Sequence, residues 1–223
     1  MDSPTASQSE AGAQIRVRLW GPGAPDRQFI EDFITLAYEV EFGASVEVNY
    51  PILIGLCDRA GRIRAGVGMR MASCEKLFLE QYLHLPVEIA LGQKLFRQVE
   101  RNVVVELGSF ASTGLNMSLY LWGAAAAYLE TRGFKFGVVT ATDKMNRLFK
   151  MFDIHSQAIC PAQKHDLLDQ AVNWGTYYSC NPRVIAGSIQ QCLAAMLKSG
   201  TVQNNSHRRA TLYSIINQIS GQA

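Results

Sequence analysis

One acidic residue stands in a run of valines at Asn102-Val-Val-Val-Glu106-Leu-Gly-Ser-Phe-Ala-Ser112. The run reads as a buried strand. An unpaired carboxylate there is costly unless its pKa rises or a partner is supplied. Glu106 is therefore a candidate general base, able to take a proton from an amine nucleophile directly or through water. An ion pair with Arg70 or Arg101 explains the same residue without catalysis, and the two readings are compatible. Arg70 lies in Gly66-Val-Gly-Met-Arg70-Met-Ala72, alone among apolar and small residues. It either snorkels at a strand end or clamps a substrate carboxylate with its planar fork. Gly108 to Gly114 leads from the strand into a helix beginning near Asn116. Free backbone N–H groups at that helix start attract phosphate, and Ser109, Ser112 and Thr113 add hydroxyl donors. A plain N-cap accounts for Thr113 or Asn116 equally well.

Other chemistries find little support in the sequence. The five cysteines are odd in number and widely spaced, with no CxxC pair, and the four histidines are scattered. A disulfide framework, a zinc site or any other metal is not expected. There is no GxSxG elbow, no GxxxxGK[ST] loop and no GxGxxG turn. Trp174, Tyr177 and Tyr178 read as core or groove lining rather than a base-stacking platform. A net charge of +2 with dispersed Lys and Arg gives no reason to expect nucleic acid.

The elements that must position these groups follow from periodicity. Ile15 to Trp20 alternates as a first strand, and Asp26 to Glu41 has helical spacing at Phe29, Ile30, Phe33, Ile34, Ala37 and Tyr38. Pro51–Cys57 and Ile63–Met71 form a hairpin around Asp58-Arg-Ala-Gly61. Pro86 opens a helix. After the Glu106 strand come a helix (Asn116–Arg132), a strand (Phe134–Thr142) and a short helix (Lys144–Phe152). The remainder reads as a short strand at Gln157–Cys160, a helix at Gln163–Val172 and a strand at Trp174–Cys180. Helices over Val184–Leu197 and Arg209–Ile219 complete the chain. The order argues for a mixed sheet flanked by helices. With 48% apolar and 18% charged residues over 223 positions, the chain suits one domain with an ample core. Residues 1–13 read as a disordered leader, 14–200 as the domain and 201–223 as a helical tail. The leader lacks the apolar core of a secretion signal, and no run is long and apolar enough to span a bilayer, so a cytoplasmic protein is expected.

Several motifs carry a family resemblance. Leu77-Phe-Leu-Glu-Gln-Tyr-Leu83 followed by Pro86-Val-Glu88 resembles the signature of the bacterial thermostable hemolysin family. So do Gly68-Met-Arg70-Met-Ala72, Arg101-Asn-Val-Val-Val-Glu106-Leu-Gly-Ser-Phe-Ala111, Thr140-Ala-Thr142 and Trp174-Gly-Thr-Tyr-Tyr178. The likeness runs from about Arg27 to Gly187. The layout is similar to the GNAT acyltransferases, and more closely to the acyl-homoserine-lactone synthases. Those enzymes also place an Arg before an apolar segment and a Glu on the strand before the cofactor helix.

The resemblance implies an α/β GNAT-like fold with a mostly antiparallel sheet and splayed central strands. It implies an N-acyltransferase that moves a fatty acyl group from acyl-CoA or an acyl carrier protein to a small amine, plausibly carboxylate-bearing. On this reading Glu106 and Arg70 are catalytic. The acyl-donor arm lies on Ser109, Phe110, Ala111, Ser112, Thr113, Asn116, Thr142, Asn146 and Phe149. The acceptor meets Arg70, Glu80, Gln81, Arg101 and Tyr38, and the acyl pocket is built by Leu107, Phe110, Leu121, Trp122 and Val139. The oxyanion falls to backbone N–H groups near Phe110 and Ala111. Two departures stand out. Ser109–Gly114 lacks the basic first residue and paired glycines of the usual pyrophosphate loop, which leaves room for a carrier-protein donor. The usual tyrosine acid of the last GNAT helix falls at Phe149. Two alternatives remain: a membrane-active protein using the amphipathic Arg208–Ile219 segment, and a catalytically silent partner-binding domain. The oligomeric state is not legible, a homodimer included.

Overall fold

The computed structural model describes residues 15–221; the leader expected at 1–13 lies outside them. A single sheet of seven strands organises the chain in the order β1-β2-β3-β4-β5-β7-β6. The strands are β1 (Arg16–Trp20), β2 (Ile52–Cys57), β3 (Ile63–Met71), β4 (Val104–Ser112), β5 (Phe136–Ala141), β6 (Gln157–Pro161) and β7 (Arg183–Ser188). Among the described residues only β4 and β5 pair in parallel; the other neighbouring pairs are antiparallel. Helices α1 (Arg27–Phe42), α2 (Val87–Leu95), α3 (Leu115–Thr131), α4 (Asp143–Met151), α5 (Ile189–Lys198), α6 (Gly200–Gln203) and α7 (Ser206–Ser220) complete the chain. This is the mixed, mostly antiparallel GNAT-like α/β fold.

Sheet alternation sorts side chains onto two faces. Gly66 and Gly68 on β3 turn toward α1 and Tyr50, where an added Cβ would strike Ile30 and the Tyr50 ring. Arg70, Glu106 and Gly108 share that face by register. Leu107 and Val139 turn the other way and join the core with α3, α5 and α7. Helix α3 is apolar almost all round because it is buried almost all round: Leu119, Leu121, Ala124, Ala125 and Leu129 are all covered. Gly123 admits α7, since a Cβ there would lie 2.5 Å from Leu212 Cδ1.

Four expectations are corrected. Val184–Leu197 is not one helix but β7 followed by α5, broken at Ser188, whose side chain caps Gln191 N–H. A strand buried between β5 and β6 carries a continuous apolar run, which periodicity cannot tell from a helix. Trp174–Cys180 is not a strand; it ends in a 3-10 turn at Tyr177–Cys180 that builds a cavity wall. Gln163–Val172 holds only a 3-10 turn at Lys164–Asp166. The C-terminal tail is α7, whose Leu212, Ile215 and Ile219 are buried in the main core. Its apolar side is therefore spent inside the molecule, and Arg208 bonds Asn116 Oδ1 at 3.0 Å. That removes the feature favouring a membrane-active helix.

Candidate active site

The site is made where β4 and β5 part. They pair from Val104 with Phe136 to Leu107 with Val139, and no further. The cause is an extra residue in β4. Ala111 pairs with Gly66 and Gly108 with Gly68, so three steps on β4 match two on β3. This bulge carries Ser109 at φ +50°, a left-handed conformation that a serine adopts only under constraint. The bulge re-aims β4 and frees its backbone groups toward the gap.

A cavity of about 650 Å³ occupies the gap. Tyr38, Arg70, Ser109, Phe110, Ala111, Ser112 and Thr142 line it, among the residues expected from the sequence. Burial pushes the Tyr38 pKa up to about 12, with the nearby Phe110 N–H pulling the other way. Among the described residues, four buried side-chain polar atoms have no hydrogen-bond partner: Arg70 Nε, Trp122 Nε1, Thr140 Oγ1 and Trp174 Nε1. All four residues line this cavity. Buried polar atoms are almost always paired, so these four mark hydrogen-bonding capacity that the fold leaves unspent around the cavity. Aromatic rings form the far wall, with Trp174 against Tyr177 at 5.4 Å and against Phe78 at 5.9 Å. Lys144 and Glu41 bridge the mouth at 2.6 Å, an exposed pair of little energetic weight.

A second, apolar chamber of about 60 Å³ adjoins the cavity and shares Leu107, Trp122 and Val139 with it. It lies on the α3 and α5 face. Gly137 and Gly187, register partners on β5 and β7, help keep it open. Phe149 lies here, edge-on to Trp122 at 4.9 Å, and not on the larger cavity. Leu121 is buried in the core and lines neither space.

Glu106 is 1% exposed and does not itself line the cavity. Its oxygens accept from Phe78 N–H at 2.8 Å and Leu79 N–H at 3.0 Å. Burial raises its pKa strongly; those two N–H groups, Arg70 and the Tyr50 hydroxyl pull it back, leaving it at about 7. The carboxylate therefore has no direct contact with the cavity. Tyr50 stands between carboxylate and cavity. The sequence reading missed it, because a tyrosine before Pro51 falls in no periodic element. The register-paired glycines Gly68 and Gly108 were its signal, since their missing side chains make room for the ring.

Glu80, Gln81 and Arg101 do not line the cavity. Glu80 accepts from Leu77 and Val87 N–H and pairs with Arg101 at 2.6 Å, which also reaches Glu88 at 2.8 Å. Burial opposes ionisation of Glu80, but Arg101 and the two N–H groups outweigh it and hold its pKa down to about 2. Gln81 bonds Phe78 O and Leu168 N–H. These residues frame the apolar signature segment, whose amides clamp Glu106. Thr113 and Asn116 are engaged by Arg64 and Arg208 outside the cavity, and Asn146 holds the β5–α4 turn through Ala141 O. Among the described residues no group of His, Cys, Asp and Glu could hold a metal ion, and no helix is long and apolar enough to cross a membrane.

The comparisons with known proteins agree with this architecture. The family model described as "Thermostable hemolysin" matches residues 20–193. The chain belongs to the thermostable hemolysin family. No curated protein matches it. Among solved structures it is similar to FeeM, an N-acyl amino acid synthase from uncultured soil microbes, at TM-score 0.59 and 13% identity over 88% of this chain and 100% of that one. The AHL synthase LasI follows at TM-score 0.55 and 12% identity, covering 91% and 96%. TofI in an apo form gives 0.54 and 18%, covering 81% and 95%. At these identities the likeness is one of fold.

Proposed function

We propose that this protein is an N-acyltransferase that moves an acyl group from a thioester donor to a small amine. The observation that carries the reading is the cavity between the parted strands, which adjoins an apolar chamber across the sheet. A thioester laid along Ser112, Ala111 and Phe110 puts its carbonyl oxygen at the Phe110 N–H, in place of the Tyr38 hydroxyl. A preorganised N–H at that point stabilises the oxyanion of a tetrahedral intermediate. The acyl chain then passes Leu107, Trp122 and Val139 into the chamber on the opposite face of the sheet.

The amine enters from the α1 face, where the Arg70 guanidinium is suited to a carboxylate on the acceptor. Arg70 is now paired with Glu75 at 3.5 Å and bonded to Asn49 O, and a substrate carboxylate would take the place of Glu75. The structural relatives include BjaI, a CoA-dependent acyl-homoserine-lactone synthase, and FeeM, an N-acyl amino acid synthase, which supports thioester chemistry here. Acyl-CoA and an acyl carrier protein both supply the pantetheine thioester, and the Ser109–Gly114 segment favours a donor that does not depend on a pyrophosphate loop. With α1, α3 and α7 bound into one fold, a cytoplasmic enzyme that releases a lipid-like amide fits the lytic family name without a pore.

The test is thiol release from acyl-CoA and acyl carrier protein with a panel of amines and amino acids, wild type beside Glu106→Gln. The reading expects product amide by mass spectrometry. Absence of thiol release with every donor overturns it.

A further inference from the structure

Glu106 has the protonation behaviour of a base but no face on the cavity. Tyr50 has the face. Its ring lies across two glycines that are partners in the β3–β4 register: a Cβ on Gly68 would fall 2.3 Å from Tyr50 Cγ, and one on Gly108 only 1.9 Å from Tyr50 Oη. The hydroxyl therefore sits over Gly108, two residues along β4 from Glu106 and on the same face, near enough to the carboxylate to help hold its pKa down. The Arg70 guanidinium covers the ring at 5.1 Å and is itself tied to Asn49 O, which fixes the ring's tilt.

We propose that Tyr50 is the proton relay between the cavity and Glu106, and so a catalytic residue of the acyl transfer. The proposal rests on the acyltransferase reading. The step balances as follows. The acceptor ammonium gives a proton to Tyr50 Oη as the phenol proton passes to a Glu106 oxygen. One N–H bond breaks, one O–H bond forms on the carboxyl group, and Tyr50 ends neutral, as it began. The freed amine attacks the thioester carbonyl. When the intermediate collapses, the C–S bond breaks and the second excess proton on nitrogen leaves with the thiolate as thiol. A standing phenolate takes no part, because burial and the nearby Glu106 charge raise the Tyr50 pKa well above that of a free phenol. The charged and titratable groups facing this pair are Arg70 on β3, Tyr82 on the 3-10 turn Phe78–Tyr82, Tyr38 on α1 and Tyr177.

The experiment uses Tyr50→Phe, which keeps the ring over both glycines. Decanoyl-CoA, or the decanoyl carrier protein where that is the donor used, is paired with two acceptors: phenylalanine, an ammonium at neutral pH, and 2-aminooxy-3-phenylpropanoate, whose amine is already unprotonated. The relay expects kcat/KM with phenylalanine to fall about a hundredfold or more, and with the aminooxy acid to fall less than about tenfold. Equal losses with both acceptors make the ring a structural element and overturn the relay. Infrared difference titration of the Glu106 carboxyl, assigned with Glu106→Gln, supplies a readout without turnover: removing the hydroxyl raises its midpoint. An unmoved midpoint overturns the coupling. Absence of thiol release by the wild type with all donors overturns the acyltransferase reading and the catalytic role together. Wild-type turnover with an unimpaired Tyr50→Phe overturns the relay alone.

Discussion

Glu106→Gln separates stability from catalysis at a single buried carboxyl. The folded-state pKa of Glu106 is about 7, against 4.5 for an ordinary glutamate. A raised pKa means that the folded state holds the proton more tightly than the unfolded one. The stabilising contribution is full below pH 4.5 and is lost as pH rises toward 7. At about 1.4 kcal/mol for each unit, wild type should lose about 3 kcal/mol across that window from this group. Gln does not titrate, so its curve lacks that loss. It has a fixed cost instead: Phe78 and Leu79 present two N–H donors, and an amide offers one acceptor oxygen. Leaving one N–H unmet costs about 1–3 kcal/mol. Urea denaturation at stepped pH should therefore find the variant less stable than wild type near pH 4.5, the gap closing by about pH 8. In acyl transfer, log kcat/KM of wild type should rise with pH up to about 7, a limb that the variant lacks. The acceptor's own ionisation is common to both proteins and cancels in the ratio. Parallel stability curves, or a limb near neutrality that survives in the variant, would refute the assignment.

Three further outcomes are expected. Arg101→Met strands the buried Glu80 carboxylate and should cost about 3 kcal/mol by urea denaturation, while the acceptor KM of the folded enzyme stays unchanged, because Arg101 lies off the cavity. Glu80 itself has a depressed pKa, so its stabilising contribution is present above 4.5 and fades as pH falls toward 2, a window that does not overlap that of Glu106. Gly137→Ala places a Cβ 3.1 Å from Leu107 Cδ1, at the passage between cavity and chamber. Excluding about two methylenes, at about 0.8 kcal/mol each, should lower the decanoyl-to-butanoyl kcat/KM ratio about tenfold. Tyr38→Phe frees the Phe110 N–H for the donor carbonyl, so the donor KM should fall, by up to about tenfold for one hydrogen bond; an unchanged or higher KM would place the carbonyl elsewhere.

The strand–helix–strand frame and its acid were legible because their signals are local. A carboxylate among valines, a helix start after Gly114 and the hairpin around Asp58 each follow from a few adjacent residues. Arg70 and Glu106 stood out for the same reason, each marking a strand of otherwise small or apolar residues; that they face each other across β3 and β4 is a matter of register. The acceptor set read from the signature segment did not survive folding. Glu80 and Arg101 look like substrate ligands in a list of polar residues, yet they satisfy each other and the helix start at Val87.

What the sequence determined by itself was the run of elements from Arg16 to Phe152 and the presence of an acid that burial would perturb, since patterning and the cost of an apolar environment act on short stretches. Tertiary structure alone decided which face each residue serves and what stands beside it. The β4 bulge that parts the strands is a matter of register between β3 and β4, and no single segment contains it. Tyr50 reaches Glu106 only because two glycines distant in the chain become neighbours when β3 and β4 pair. Contacts of that kind come from strand pairing, and a chain written in one dimension does not carry them.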